Sequence, residues 1–531
     1  MKRREFIKTV AATPVLGPLL SARRTSQGPN GQFDYVIVGA GSAGCVLASR
    51  LSEDQAVRVL LLEAGGPVNG DPAITTPGKW VSLIGSTFDW GFATEPEPGL
   101  QNRRIAFPRG KAIGGSSAIN AMTFIRGHQF CYDRWERAGN PGWGFEALVP
   151  YFKKSENNEM GPTHYRGVDG PLAVSMCTDP HAGHRAFLAA IAQQQYKTDA
   201  RFDFNLPAPV NVAGFYQKSI LDGRRHSVAD AFLTPSLSRP NLEVRSQCHA
   251  TKLVAENGRV TTIEYVRDGK PERVRAAREI VLCGGVIDTP KLLMLSGIGP
   301  AGHLKSLGLP VIADVPGVGR NFQDHLKLSI RWQGKTELPG STVTAGMFTR
   351  SDPSNWADPP DLQFYVGRGV ETPDRFITIT VSLVFPRSRG QISLRSADPS
   401  AAPIIRANYL QEEADVKALV QGVKLARWFG EADAYTDLKG EELLPGPAAK
   451  SDADLAAFAR RDSDTIYHGG GTCKMGPSGD AGAVVDPLLR VRGVSGLRIA
   501  DASIMPEVVN APTNAACVMI GEKAADLLRQ S

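Results

Sequence analysis

The first strongly patterned stretch of the chain is Phe33-Asp34-Tyr35-Val36-Ile37-Val38, a short apolar run that reads as a strand. It enters Gly39-Ala40-Gly41-Ser42-Ala43-Gly44, and the residues from there to Leu51 read as a helix with small residues on its first turn. A second apolar strand over residues 57–62 ends at Glu63, nineteen residues beyond Gly44. Further along, residues 362–366 and 376–381 alternate as strands do, with turns marked by Asp358-Pro359-Pro360 and Asp398-Pro399. No internal repeat or low-complexity segment interrupts this order. Strand–helix–strand at the start, a mixed middle and a compact C-terminal return predict an α/β fold.

The opening pattern carries chemistry. Gly39 permits a tight turn, Gly41 lets backbone approach a pyrophosphate, and Gly44 allows a helix to lie close on its strand. The N-terminus of that helix offers free N–H groups and partial positive charge to phosphates. Glu63 stands where an acid holds a ribose hydroxyl and disfavours a 2′-phosphate. A dinucleotide site follows. A second loop dense in glycines and hydroxyls, from Pro108 to Asn120, offers further backbone N–H groups and the Ser116 and Ser117 hydroxyls. A plain NAD fold has no need of that second loop.

Composition narrows the picture. At 531 residues, 42% hydrophobic and 21% charged, the chain is too long for one ordinary core, so two domains are expected. The formal charge is +6, of which residues 1–22 supply +3, leaving no reason to expect a nucleic acid partner. Those residues open Lys2-Arg3-Arg4-Glu5-Phe6-Ile7-Lys8 and continue as a mild apolar run holding Pro14 and Pro18, which resembles a Tat export signal with cleavage after Ala22. The run is too short to span a bilayer, and no later segment is apolar enough to do so. A periplasmic or otherwise exported bacterial protein is therefore expected. Seven dispersed cysteines, with no C-x-x-C pair, read as buried free thiols and not as a disulfide framework or a metal site.

From Phe33 to the C-terminus, several blocks together resemble the glucose–methanol–choline (GMC) oxidoreductase family. They are the dinucleotide motif, Pro108 to Asn120, Gly284 to Pro290, Gly317 to His325, Gly471 to Gly476 and Arg498 to Pro506. The resemblance implies a Rossmann-like FAD-binding domain and a second, sheet-containing α+β substrate domain. The cofactor motifs lie at both ends of the chain, so the FAD domain is expected to be discontinuous, over 31–155, 222–310 and 462–531. The substrate domain would take 156–221 and 311–461. Pyrophosphate would sit at Gly39, Gly41, Ser42, Ala43 and Gly44, and the adenosine ribose at Glu63 and Ala64. Adenine would meet backbone near Ala250, and the flavin end would lie near Arg109, Gly110, Gly115, Ser116, Asn120 and Ala121. Asp501 and Ala502 would lie beside the pyrophosphate and ribityl chain, with Pro512 and Thr513 against the flavin. Some relatives attach the flavin to a histidine in the first signature. Ile119 stands there in this chain, so the FAD is expected to be non-covalent.

Oxidising an alcohol requires a base for the hydroxyl proton while hydride leaves carbon for flavin N5. The resemblance assigns that base to His468, and His325 reads as structural support. The family's second catalytic His or Asn falls on Pro512, whose side chain neither donates nor accepts. Asn510 and Asn514 flank it; either Asn510 rebuilds the pair, the expected substitute, or His468 acts alone. Thr513 N–H is a candidate for supporting negative charge on the reduced flavin, and Tyr467 either lines the substrate pocket or packs. The expected partners are a small-molecule alcohol and an electron acceptor, either oxygen, a quinone or a cytochrome. Because of Pro512, a redox-neutral hydroxynitrile-type lyase and a catalytically degraded flavin-binding protein stand as alternatives.

Overall fold

The structure is a computed structural model that describes residues 32–68, 70–367, 370 and 373–530. The export-like segment lies outside the described residues. Two sheets organise the rest. The first has a parallel core in the order Leu242–Arg245, Val59–Leu62, Phe33–Val38, Lys270–Leu282 and Leu497–Ile499. Its strands come from three separate parts of the chain, because a parallel neighbour must be reached by a crossover and cannot be joined by a tight turn. Strand Lys270–Leu282 is long enough to continue into an antiparallel meander with Arg259–Arg267 and Cys248–Glu256. In the parallel core, Val36, Ile37, Val59, Leu60, Leu61, Ile280 and Val281 are fully buried, which is why these strands read as continuous apolar runs.

The second sheet is largely antiparallel. Its order is Lys439–Leu444, Leu326–Leu338, Asp374–Leu383, Leu362–Val366, Ala345–Thr349, Val212–Phe215 and Lys197–Thr198. The strands expected at 362–366 and 376–381 are both here, the second of them longer at each end. Leu328, Ile330, Ile379 and Val381 are buried on one face, against helix Glu413–Gly430. The other face carries polar side chains towards the first sheet, and the space between them is the site.

Among the described residues no helix is long and apolar enough to cross a membrane, and no group of residues is arranged to hold a metal ion. The seven cysteines are free thiols.

Candidate active site

Strand Phe33–Val38 delivers the chain into Gly39, whose φ of +104° is one that L side chains rarely adopt. A Cβ on Gly44 would lie 1.9 Å from the Gly39 carbonyl oxygen, so helix Ser42–Leu51 approaches its strand as only glycine allows. Gly41 differs: a Cβ there would meet nothing nearer than the Cys283 oxygen at 3.9 Å, and its open side faces a cavity of about 630 Å³. The helix start has no side-chain cap and no acid in its first turn. Helix Asn514–Arg529 begins in the same way on the same cavity. Ser42 Oγ donates to Asn514 Oδ1 at 2.6 Å and ties the two starts together. Two uncapped helix N-termini converging on one cavity make a strongly anion-attracting point.

Along the cavity from there, Glu63 accepts the Ala40 and Gly65 N–H groups, one on each oxygen, both at 2.8 Å. Burial pushes its carboxyl up to about 7 against those bonds. Each oxygen keeps a lone pair for a hydroxyl such as that of a ribose. Ala64, His249 and Ala250 complete this arm. On the opposite wall, Asp501 accepts the Gly285 N–H at 2.8 Å, the Thr289 hydroxyl at 2.6 Å and the Ser503 N–H at 2.8 Å. It thereby fastens helix Gly285–Leu295 to the C-terminal strand. Arg109, Gly110, Gly115, Ser116, Asn120, Ala121, Ala502, Pro512 and Thr513 all face the cavity with Gly39, Ser42 and Ala43. Gly44 serves the packing behind it.

At the far end stands His468. The backbone turns sharply before it, with Tyr467 at φ +69°, a conformation that costs a bulky residue about 1–3 kcal/mol unless its surroundings impose it. They do so here. Asp324 Oδ1 accepts the His468 N–H at 2.8 Å, Thr465 Oγ1 accepts the Tyr467 N–H at 2.7 Å, and Arg109 donates to the Tyr467 carbonyl at 2.5 Å. Asp324 Oδ2 in turn accepts from Tyr409 Oη at 2.6 Å and Thr465 Oγ1 at 2.5 Å. The His468 ring then meets fully buried His325, Nδ1 to Nδ1, at 3.1 Å. Burial, then His325 and then Arg109 push the His468 pKa well below the usual imidazole value, so the ring is neutral at physiological pH. His325 is pushed down to about 3, chiefly by burial. A neutral imidazole with Nδ1 engaged has one ring nitrogen left, Nε2, for chemistry.

Asn510 does not join this site. Its Oδ1 accepts the His128 N–H at 2.9 Å and lies 3.4 Å from Cys131 Sγ, while its Nδ2 donates to the Pro360 carbonyl at 2.9 Å. Only 2% exposed, it is spent on joining three segments, and the expectation that it replaces the second catalytic side chain is corrected. Asn514 does reach the cavity, with its oxygen held by Ser42. What the sequence reading missed is the polar sheet face, with Lys327, Ser329, Arg331, Gln363, Tyr365 and Thr380 on the cavity wall. Strand alternation was the available signal, but alternation does not say which side faces a ligand.

A parallel sheet with glycine turns, two converging helix starts and a carboxylate at ribose distance along the sequence define a dinucleotide-binding enzyme. The same cavity of about 630 Å³ is lined by the glycine turn, by Glu63 and by His468. Models of the GMC oxidoreductase N- and C-terminal regions match residues 33–327 and 386–521. Human mitochondrial choline dehydrogenase is 40% identical across 94% of this chain and 90% of its own length. An alcohol dehydrogenase [acceptor] of Pseudomonas putida is 38% identical across 93% of this chain and 95% of its own. Among solved structures, pyridoxine 4-oxidase from Mesorbium loti superposes with a TM-score of 0.88 at 32% identity, covering 94% of this chain and 100% of that one. The chain belongs to the GMC oxidoreductase family. It is an FAD-dependent oxidoreductase acting on CH–OH donors.

Proposed function

We propose that the chain oxidises an alcohol at the His468 end of the cavity, with His468 Nε2 as the base that takes the hydroxyl proton. The observation that carries this reading is the paired, neutral His468 ring, held by Asp324 on its backbone and His325 on Nδ1. For Nε2 to be unprotonated, His468 Nδ1–H donates to His325 Nδ1, and the His325 proton resides on Nε2. Bound FAD supplies the acceptor for the hydride that leaves the carbinol carbon. Glu63 and the starts of helices Ser42–Leu51 and Asn514–Arg529 would hold its ribose and pyrophosphate, and Asn120, Ala121, Pro512 and Thr513 would border its ring end. With Ile119 at the family's attachment position, the cofactor is dissociable.

The same reading divides the chain as its motifs suggest. Segments 31–155, 222–310 and 462–531 bind cofactor, and 156–221 and 311–461 bind substrate. In support, every strand of the parallel sheet falls in the first set, and the second sheet falls in the other apart from Asp464–Thr465. The N-terminal twin-arginine pattern favours Tat export to the periplasm and, with it, a quinone or cytochrome over oxygen as electron acceptor. The lyase and degraded-protein alternatives rested on Pro512 alone, and no relative reported above supports either.

The test is anaerobic flavin bleaching by alcohols. In His468→Ala the flavin should remain bound while the reduction rate falls by about 10²–10⁴-fold, the usual contribution of a positioned base. A variant reduced at the normal rate would remove His468 from the reaction.

A further inference from the structure

Strand Leu326–Leu338 alternates cleanly where it crosses the cavity. Leu326, Leu328, Ile330 and Trp332 are buried, while Lys327, Ser329 and Arg331 face the open space. Next to Ser329 across the sheet is Thr380, with the hydroxyls 3.2 Å apart, and Thr380 in turn pairs with Tyr365. The wall above the reacting end is therefore hydroxyl-rich, with a cation on either side of Ser329.

The two cations are not equivalent. Lys327 Nζ lies 3.5 Å from the Asp464 carboxylate and 5.4 Å from the centre of the Tyr467 ring, which puts it beside His468 and partly neutralised. Arg331 stacks over the Phe376 ring at 5.1 Å. Its buried Nε has no hydrogen-bond partner, and no carboxylate among the described residues pairs with its guanidinium. Three acids line the cavity, and all lie on the cofactor arm. Glu63 is taken up by backbone N–H groups, Asp501 by Gly285, Thr289 and Ser503, and Asp288 is set in the fields of Lys291 and Lys111. Among the described residues, the substrate end thus presents Lys327, paired with Asp464, and Arg331, with no acid lining the cavity beside Arg331.

We propose that the substrate is an alcohol bearing an anionic group, a carboxylate or its phosphate or sulfate equivalent, which the Arg331 guanidinium binds. This rests on the alcohol oxidation proposed above and narrows its substrate class. A guanidinium offers paired N–H donors in a plane that matches such an anion. Arg331 lies four positions beyond Lys327 on the strand, about 13 Å at the usual rise. The quaternary ammonium of choline, the substrate named for the 40%-identical relatives, is disfavoured by the same two cations.

The test compares 4-(hydroxymethyl)benzoate, benzyl alcohol and choline as substrates of the full-length holoenzyme. The expected order of kcat/KM is carboxylate, then neutral, then cation, with the carboxylate about 10- to 100-fold above benzyl alcohol. Arg331→Gln should lower the carboxylate-to-neutral ratio by about 10-fold or more, and Arg331→Lys should restore part of it. The ratio is taken within each variant, so a general loss of activity cancels. A wild-type ratio at or below one, a preference for choline, or a ratio untouched by Arg331→Gln would overturn the proposal. If none of the three alcohols bleached the flavin, the oxidation reading itself would fall. The anion site is then read by titrating benzoate and benzyltrimethylammonium against the flavin absorbance. Tighter benzoate binding that weakens in Arg331→Gln supports the site, and its absence sinks it.

Discussion

A histidine in water titrates near pH 6.5, and His468 has been moved well below that by its burial and by two neighbours, His325 and Arg109. The sign of the consequence is fixed. As the proposed base, His468 works unprotonated, is lost as pH falls through its folded pKa, and that pKa is depressed. The acid limb of kcat/KM for a neutral alcohol should therefore lie below pH 6.5, with no loss between pH 6.5 and 7.5 from this group. A limb at or above 6.5 would mean that the ring is solvated as an ordinary histidine. His468 was legible in the sequence because it stands in a recognisable block. Its partner was legible only as a supporting residue, since 143 positions separate His325 from His468 along the chain. Asn510 shows the opposite outcome. A polar side chain beside the expected position looked available, yet it is consumed by His128, Cys131 and Pro360, three contacts that no local pattern records.

Among the elements, the glycines of the first turn separate into two kinds that the sequence motif treats alike. In Gly44→Ala the new methyl would fall 1.9 Å from the Gly39 carbonyl, so the helix must leave its strand. Misfolded or insoluble protein is expected. Gly41→Ala meets only the Cys283 oxygen at 3.9 Å, so the fold should survive with an unchanged far-UV CD spectrum. Its methyl faces the cavity where pyrophosphate is proposed to bind, and FAD affinity should fall by about 10-fold or more, read by flavin fluorescence on dilution. Equal behaviour of the two variants would show that the motif acts only through packing. The strands at 362–366 and 376–381 were legible by alternation. The polar face of Leu326–Leu338 became meaningful only once the sheet was seen to stand across the cavity.

For the whole molecule, the cavity draws its walls from both sheets and from both ends of the chain, so cofactor binding and folding are coupled. Apo-protein stripped of flavin should gain stability on adding FAD, by about 2.7 kcal/mol at one hundred times Kd. Thermal melts across an FAD series measure that gain. Glu63→Ala should shrink it, because the carboxylate proposed to hold the ribose is gone. The gain is a difference within one variant, so the stability lost when the Ala40 and Gly65 N–H groups lose their acceptor does not obscure it. A gain equal to that of the unaltered chain would move the ribose away from Glu63.

By itself the sequence determined the dinucleotide turn, the α/β class and the family resemblance, and it offered His468 as the candidate base. These are local matters, set by apolar periodicity, by glycine where a Cβ would collide, and by residues that keep their spacing within short blocks. Tertiary structure decided which groups share the cavity. Only the fold shows that Asn510 is spent elsewhere, that His325 takes Nδ1 of His468, and that Lys327 and Arg331 line the same cavity as His468. The reason is physical. Burial, pairing of charges and hydrogen-bond partners depend on elements hundreds of residues apart, and a linear pattern carries no record of what it will be folded against.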